Sequence, residues 1–282
     1  MRFIALFVSI LAFLAQPALA AGAASSPALS SLEDQLSALV ANKSADVGIA
    51  ALDLNTGETV SIKGNTPFPM ASTVKVAIAA LYLADVDHGR RSLDDTINGQ
   101  PVRTLMRKML IYSDNHAADI LFKDVGGPNA VQQWLDDNGI KGLHVDRTIA
   151  QLIASKRDLF DRRDSATPIA MVDLLRRIYK GELIKPDSRN YLLDIMAECR
   201  TGRNRIKALL PGVPVEHKTG TLNGLADDVG FITLPDGRRV AVAIFTRGGA
   251  NRPQTIAETA RTIYDGFKSI FTWPFGAPAL QK

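Results

Sequence analysis

Segments with the apolar pattern of β-strands lie near both ends of this 282-residue chain, and a long helical stretch separates them. Two such segments, at 46–54 and 58–63, are joined by Asn-Thr-Gly, a typical hairpin turn. Three more follow near the end of the chain, at 213–219, 225–234 and 239–246. Because strand faces are buried in shared layers, this order predicts one antiparallel five-stranded sheet to which both ends contribute.

Helical periodicity fills the interval between these strands and also flanks them. Amphipathic segments at 31–41 and 254–271 predict an N-terminal and a C-terminal helix beside the sheet. The middle of the chain predicts helices at 73–86, 102–111, 115–123, 128–137, 168–180 and 188–196. The expected fold class is therefore α+β, an antiparallel sheet with flanking helices and an all-helical inserted subdomain.

One domain is expected over residues 21–282, because no linker or internal repeat separates independent units. Its sheet part should comprise about 27–66 and 212–282, and its helical part about 67–211. A functional site is expected where the two parts meet, since pockets commonly form at such boundaries.

Residues 1–20 have the features of a secretory signal peptide. Arg2 gives a positive start, an apolar run follows at 3–15, and Ala-Leu-Ala ends at Ala20. The run is shorter than the roughly 20 residues of a membrane-spanning helix. We therefore expect cleavage after Ala20 and a periplasmic or secreted protein without stable membrane insertion; an uncleaved membrane anchor is the alternative.

Charge and cysteine content argue against several classes of protein. The net charge is +4, but the charges are mixed in sign, so a nucleic-acid partner is not expected. A single cysteine, Cys199, excludes an internal disulfide and a cysteine-based zinc site. The four histidines lack the spacing of metal ligands. We expect no metal, no cofactor and a monomer.

Ser72-Thr73-Val74-Lys75 places a serine and a lysine one helical turn apart at a predicted helix start. A lysine whose pKa is lowered by burial and nearby positive charge can take the proton of a serine hydroxyl. Backbone N–H groups at a helix start favour a developing oxyanion. By itself the pattern is equally compatible with a capped amphipathic helix.

Two further motifs lie at predicted element boundaries. Ser113-Asp114-Asn115 opens a helix, where Ser and Asp also serve simply as N-caps. Lys218-Thr219-Gly220-Thr221 is predicted to end a strand, where glycine allows close approach of a ligand and the lysine and hydroxyls suit a carboxylate. The alternative for the second motif is a polar strand end.

Together, Ser-x-x-Lys, Ser-Asp-Asn and Lys-Thr-Gly in this order are the signature of serine β-lactamases and penicillin-binding proteins. The chain resembles a class A-type serine β-lactamase over nearly its whole length after residue 20. Ala166-Thr167-Pro168 before a helix is similar to that family too.

The resemblance implies a role for each motif residue. Ser72 is the acylated nucleophile, Lys75 is its base, directly or through water, and Ser113 relays the proton to the leaving nitrogen. The same resemblance implies that Asn115 holds the substrate amide and that Lys218 and Thr219 bind the substrate carboxylate. The N–H groups of Ser72 and Thr221 would form the oxyanion hole.

The sequence departs from the family where the acyl-enzyme is hydrolysed. The family places a glutamate and an asparagine in an Arg-x-Glu-x-x-Leu-Asn loop to hold the hydrolytic water. Here the matching segment begins at Arg147, and Ile149 and Ile153 occupy the two positions. The stretch 147–167 is charged with weak periodicity and predicts a long loop, closed by a pairing of Arg147 with Asp164.

The sequence offers candidates to replace the missing glutamate base and a second missing group, an arginine. Asp158 and Asp161 are possible replacement bases, although a solvated loop face fits their spacing better. The usual arginine on the strand after Lys-Thr-Gly is also missing, and Arg247 or Arg252 could supply that charge.

Three functions follow from these features. The first is an exported serine hydrolase that opens β-lactam rings through an acyl-serine, with deacylation slowed to roughly minutes by the loss of a base worth 10²–10⁴-fold. The second is a D-alanyl-D-alanine peptidase, or another amidase or esterase acting on cell-wall peptides. The third is a sensor that is acylated once.

Overall fold

A computed structural model describes residues 27–270, so the predicted signal peptide lies outside the described residues. Five strands form one antiparallel sheet: β1 (Asp46–Asp53), β2 (Thr59–Ile62), β7 (Val215–Leu222), β8 (Leu225–Thr233) and β9 (Arg239–Arg247). Their order across the sheet is β2-β1-β9-β8-β7. The predicted α+β fold with a sheet from both chain ends is confirmed, and the late strand β9 lies at its centre.

Strand β7 continues to Leu222, beyond its predicted end at Thr219. The polar residues at its end pair with β8 in regular register, Thr219 opposite Asp228 and Thr221 opposite Ala226. The Lys-Thr-Gly motif therefore lies within a strand rather than at its end, because main-chain pairing outweighs the weak strand propensity of glycine.

Helices α1 (Pro27–Ala41) and α9 (Arg252–Ser269) cover one face of the sheet. Leu32 and Leu36 of α1 and Ile263 and Phe267 of α9 are fully buried, as their helical spacing predicts. They belong to a core that also contains apolar residues of β1 and β9, such as Ile49 and Ile244, on the sheet face that these helices cover. The predicted flanking helices are thus confirmed.

The helical block packs on the other face of the sheet. Its helices are α2 (Lys75–Asp87), α3 (Val102–Ile111), α4 (Asn115–Asp124), α5 (Gly127–Asp137), α6 (Ile149–Ala154), α7 (Pro168–Lys180) and α8 (Pro186–Ala197). Helix α2 is buried from Lys75 to Asp85, which explains why its sequence is apolar on every side. Helix α7 starts as predicted, with the Thr167 hydroxyl accepting from the Ala170 N–H and Pro168 at the first position.

Short elements connect this block. The two-residue strands are β3 (Phe68–Pro69), β4 (Thr96–Ile97), β5 (Gln100–Pro101) and β6 (Ser165–Ala166), paired β3 with β6 and β4 with β5. Pairing of β3 with β6 brings the end of the 147–167 segment beside the turn that carries Ser72. Within residues 27–270, no helix combines the length and apolar character needed to cross a membrane.

Candidate active site

Ser72 lies in a 3₁₀ turn, Ala71–Val74, and not in an α-helix, which begins only at Lys75. Ala71 has a φ of 42°, in the left-handed region that a side chain disfavours. The Thr73 hydroxyl and N–H both donate to the Met70 carbonyl, at 2.6 and 2.9 Å, and hold the turn. The strained turn leaves the Ser72 side chain half-buried beside a cavity.

Lys75 is fully buried, one helical turn after Ser72. Its ammonium donates to the Ser113 carbonyl at 2.7 Å, to Asn115 Oδ1 at 2.8 Å and to the Ser113 hydroxyl at 3.3 Å. Burial, followed by the positive charge of Lys218, lowers the pKa of Lys75 to about 7. A substantial fraction of this amine is therefore neutral near pH 7 and able to accept a proton.

Ser113 lies between α3 and α4 with a φ of 59°. The next residue, Asp114, caps α4 by accepting from the Ala117 N–H at 2.7 Å. The capping role and the functional role of this motif are thus divided among its residues. Asp114 holds the helix, while Ser113 and Asn115 face Lys75.

Lys218 of β7 completes a chain of hydrogen bonds through Ser113. Its buried ammonium donates to the Ser113 hydroxyl at 2.9 Å and to the Thr219 carbonyl at 2.7 Å. Burial lowers the pKa of Lys218 to about 8, against the opposing charges of Cys199 and Asp228. The Ser113 hydroxyl therefore lies between two lysine side chains. We call Ser72, Lys75, Ser113 and Lys218 the polar side of the cleft.

Gly220 is required where β7 passes the serine turn. A Cβ at this position would lie 2.8 Å from the Met70 carbonyl oxygen, closer than such atoms approach. Glycine therefore allows the strand to pack against the turn that carries Ser72. The following residue, Thr221, lines the same cavity as Ser72.

Arg205 is a buried arginine at this strand that the sequence analysis missed. Its guanidinium donates to the Gly220 and Asp227 carbonyls, both at 2.8 Å, and to the Thr221 hydroxyl at 2.6 Å. Only the fold brings it there, since it lies in a turn after α8 and no local pattern distinguishes it from its neighbouring arginines.

Arg247 and Arg252 have other partners. The sequence offered both as replacements for the arginine that is missing from the strand after Lys-Thr-Gly. Arg247 lies 4.3 Å from the ring centres of both Phe68 and Phe160 and pairs with Asp46. Arg252 donates to the carbonyls of the glycines that precede α9.

The opposite side of the cleft is apolar. Ile149, Leu152 and Ile153 line a cavity of about 30 Å³. The same cavity is lined by Ser72 of the polar side and by Asn115 and Thr221. We call Ile149, Leu152 and Ile153 the apolar wall. They lie on helix α6, in a segment predicted to be an irregular loop, so that prediction was wrong in part.

Polar contacts at its N-terminus hold helix α6 in place. Thr148 and Gln151 form a reciprocal capping box. Asp119 of α4 accepts from the N–H groups of Ile149 and Ala150 at 2.8 and 2.9 Å. The six-residue helix thus depends on a carboxylate 30 residues earlier, which periodicity within the segment cannot indicate.

Arg147 and Asp164 close the segment, as the sequence predicts. The Arg147 Nε donates to Asp164 Oδ2 at 2.5 Å, and both side chains are nearly buried. Asp161 also pairs with Arg147, and the hydrogen bond from Arg163 lowers the pKa of Asp161 to about 2. Asp158 accepts from the Phe160 N–H. The two candidate replacement bases therefore have structural partners.

Comparison with known proteins identifies the family. The family model described as "Beta-lactamase enzyme family" matches residues 31–267. The chain belongs to the β-lactamase enzyme family. Extended-spectrum β-lactamase PER-1 of Pseudomonas aeruginosa is 32% identical over 83% of this chain and 86% of its own length. The resemblance stated from the sequence motifs is thereby confirmed.

Other relatives agree with this assignment. A carbapenem-hydrolysing β-lactamase KPC of Klebsiella oxytoca is 28% identical over 78% of this chain and 83% of its own length. The crystal structure of a β-lactamase from Chitinophaga pinensis DSM 2588 is similar with a TM-score of 0.78 and 28% identity. It covers 84% of this chain and 99% of its own.

Behind the polar side, this β-lactamase-family chain buries a second group of titratable residues. His217 Nδ1 lies 2.8 Å from Asp228 Oδ1, and Thr201 Oγ1 lies 3.3 Å from the Cys199 sulfur and 2.6 Å from Thr219 Oγ1. Burial alone would lower the pKa of His217, but the Asp228 carboxylate outweighs it and raises that pKa to about 9. The group therefore connects the cysteine to the strand that carries Lys218.

Within residues 27–270, no group of three or more His, Cys, Asp or Glu side chains has the arrangement of a metal site.

Proposed function

We propose that this chain is an exported serine hydrolase that opens β-lactam rings through an acyl intermediate on Ser72. The observation that carries the proposal is the Ser113 hydroxyl, which lies 3.3 Å from the Lys75 nitrogen and 2.9 Å from the Lys218 nitrogen, beside the cavity that Ser72 lines. Relatives named as β-lactamases support the same activity.

In acylation, the Ser72 oxygen attacks the lactam carbonyl and its proton passes to neutral Lys75, directly or through a water molecule. The lowered pKa of Lys75 makes this transfer feasible near neutral pH. The N–H groups of Ser72 and Thr221 stabilise the oxyanion, and one such donor contributes roughly 3 kcal/mol in comparable sites.

Ring opening breaks the bond between the carbonyl carbon and the nitrogen, and the nitrogen needs a proton. Ser113 is placed to deliver it and to regain one from the Lys75 ammonium through the 3.3 Å contact. The charge of Lys218, 2.9 Å from the same hydroxyl, favours donation by Ser113.

Substrate binding is assigned to Asn115, which lines the cavity, and to the motif residues of β7. Asn115 Oδ1 accepts from Lys75, which leaves the amide NH₂ of Asn115 to donate to the substrate amide. Lys218, Thr219 and Thr221 supply a cation and two hydroxyls for the substrate carboxylate, and Gly220 keeps their strand packed against the turn that carries Ser72. Arg205 adds positive charge next to Thr221.

Intact-protein mass spectrometry with a penicillin tests this proposal. We expect an adduct equal to the mass of the intact antibiotic, located on Ser72 by peptide mapping. A parallel assay with nitrocefin measures ring opening. Absence of both the adduct and nitrocefin turnover would contradict the proposal.

A second candidate is a D-alanyl-D-alanine peptidase or another amidase or esterase of cell-wall peptides. The apolar wall is compatible with it, because D-alanine leaves in the acylation step, before water has to be activated. Release of D-alanine from a muropeptide, compared with penicillin hydrolysis under the same conditions, distinguishes the two candidates.

Export and oligomeric state are separate parts of the proposal. The signal-like features of residues 1–20 support export and cleavage after Ala20. The N-terminal sequence and mass of protein recovered from the periplasm or medium test this, and size-exclusion chromatography with light scattering tests the expected monomer.

A further inference from the structure

The cavity beside Ser72 has polar groups on one side only. Its volume of about 30 Å³ is enough to admit a water molecule. A bound water needs two to four polar partners. Ser72, Asn115 and Thr221 offer such atoms, but the facing residues Ile149 and Leu152 are buried aliphatic side chains. Water entering this space therefore meets no acceptor from the wall.

Three carboxylates around α6 already accept hydrogen bonds from other groups of the protein. Asp119 accepts from two N–H groups of α6, one with each of its oxygens. Asp164 accepts from the Arg147 side chain and from the N–H groups of Asp146 and Arg147. Asp161 pairs with two arginines and has a pKa of about 2. A carboxylate with that pKa is a weak base at neutral pH.

Hydrolysis of the acyl-enzyme has a requirement that acylation does not share. The water oxygen adds to the ester carbonyl, the bond to Ser72 Oγ breaks, and the water proton must pass through a base to Ser72. Lys75 can serve Ser72 in acylation, yet its nitrogen is held by Ser113 and Asn115 on the polar side. The wall supplies no base, because the side chains of Ile149 and Ile153 are aliphatic.

We propose that the apolar wall of Ile149, Leu152 and Ile153 makes water a poor acceptor of the acyl group, so that acyl-Ser72 persists. A nucleophile that needs no base should release the acyl group faster than water does. The proposal rests on the proposed acylation of Ser72. Hydroxylamine is such a nucleophile, because its neutral nitrogen attacks directly. It forms the hydroxamate, and the proton it loses returns to Ser72.

The test follows the decay of the penicillin adduct by intact-protein mass spectrometry after excess antibiotic is removed. In the wild type we expect an adduct that lasts for minutes and that hydroxylamine shortens at least tenfold, with the hydroxamate as product. Denatured acyl-enzyme supplies the intrinsic rates of water and hydroxylamine. An adduct that clears within seconds in water alone would overturn the proposal.

A gain of function tests the wall directly. Ile149→Glu introduces a carboxylate on the wall and should speed decay in water by roughly 10²–10⁴-fold, the range of general-base catalysis. Burial raises the pKa of such a carboxyl, so its effect should increase as the pH rises to about 8.5. Ile149→Gln is the matched control, with the same shape and no charge.

Equal decay of the glutamate and glutamine variants would contradict the inferred role of the missing base. If Ile149→Glu does not fold, the hydroxylamine measurement on the wild type decides alone, since it needs no substitution. If the wild type forms no adduct at all, the proposed function fails, and this result differs from an adduct that forms and clears quickly.

Discussion

The two sides of the cleft differ in both chemistry and construction. The polar side joins residues from a 3₁₀ turn, the α3–α4 junction and the buried strand β7, and hydrogen bonds link Lys75, Ser113 and Lys218. The apolar wall belongs to one six-residue helix that is held at its N-terminus by Asp119.

This difference separates the two halves of the proposed reaction. The polar side contains the groups that acylation needs, whereas release of the acyl group depends on what the wall presents to water. The halves can therefore be changed independently, because the residues that build the polar side lie outside α6. The following experiments test that separation, from the largest expected effect to the smallest.

Ser72→Ala removes the nucleophile and should lower acylation by roughly 10³–10⁶-fold, the range seen when a catalytic nucleophile is deleted. Stopped-flow nitrocefin assays and adduct mass measure the loss. Ser269→Ala, at the distant end of α9, is the control and should be acylated at the wild-type rate. A Ser72→Ala protein that still acquires a stable adduct would place the nucleophile elsewhere.

The acylation rate should be bell-shaped in pH. It should rise as Lys75 loses its proton near pH 7, because only the neutral amine accepts the Ser72 proton. It should fall above about pH 8, where Lys218 loses the charge that supports Ser113 and binds carboxylate. Rates of adduct formation between pH 5 and 10 measure both limbs.

Lys218→Arg sharpens this measurement. Arginine stays charged throughout that range, so the falling limb should disappear while the rising limb remains. A falling limb at the same pH in this variant would assign it to a group other than Lys218.

Arg205→Ala removes charged hydrogen bonds to Gly220, Asp227 and Thr221. One charged hydrogen bond contributes about 1.5–3 kcal/mol, and a loss of that size in transition-state binding lowers kcat/KM for acylation roughly 10- to 100-fold. Arg205→Lys should recover part of this loss. Unchanged acylation together with an unchanged melting temperature would show that the buried guanidinium supports neither the strand nor the substrate.

Asp164→Asn tests whether the closed end of the 147–167 segment matters to the polar side. The change breaks a nearly buried ion pair with Arg147 and should lower the free energy of unfolding by about 2–4 kcal/mol. Thermal unfolding measures this, and Asp158→Asn, at an exposed position, is the control. Acylation of the folded fraction should continue, and its loss would show that the two sides are coupled.

Thr148→Ala should have the smallest effect, about 1 kcal/mol, because it removes the N-cap of α6. Thr148→Ser keeps the hydroxyl and should retain most of that stability. Hydrogen exchange of the Gln151 N–H, which donates to the Thr148 hydroxyl, reports the change locally. Equal exchange in both variants would contradict the capping role.

The sequence predicted the sheet and the polar motifs well, because both depend on local pattern. Alternating apolar residues indicate strands, and Ser72 with Lys75 fits one helical turn. The resemblance to the family also implied that Arg147 and Asp164 would pair. These features need no information about distant parts of the chain.

The features that sequence reasoning missed all depend on tertiary contacts. Helix α6 is too short to produce a clear period, and its first N–H groups bond to a carboxylate on α4. Arg205 reaches Thr221 only because the turn after α8 packs against β7. Similarly, Cys199 follows α8 and interacts with the side chain of His217 on β7 only because the two elements pack together.

The position of β9 has a consequence for the order of events during synthesis. This strand ends at Arg247, yet it hydrogen-bonds to β1, which emerges from the ribosome about 190 residues earlier, and to β8. A nascent chain can form the α2–α8 helices before the centre of its sheet exists. Strand β7 with Lys218 pairs with β8 alone, and β8 joins β1 and β2 only through β9. A chain that stops before residue 239 therefore lacks the scaffold that holds the two lysines around Ser113.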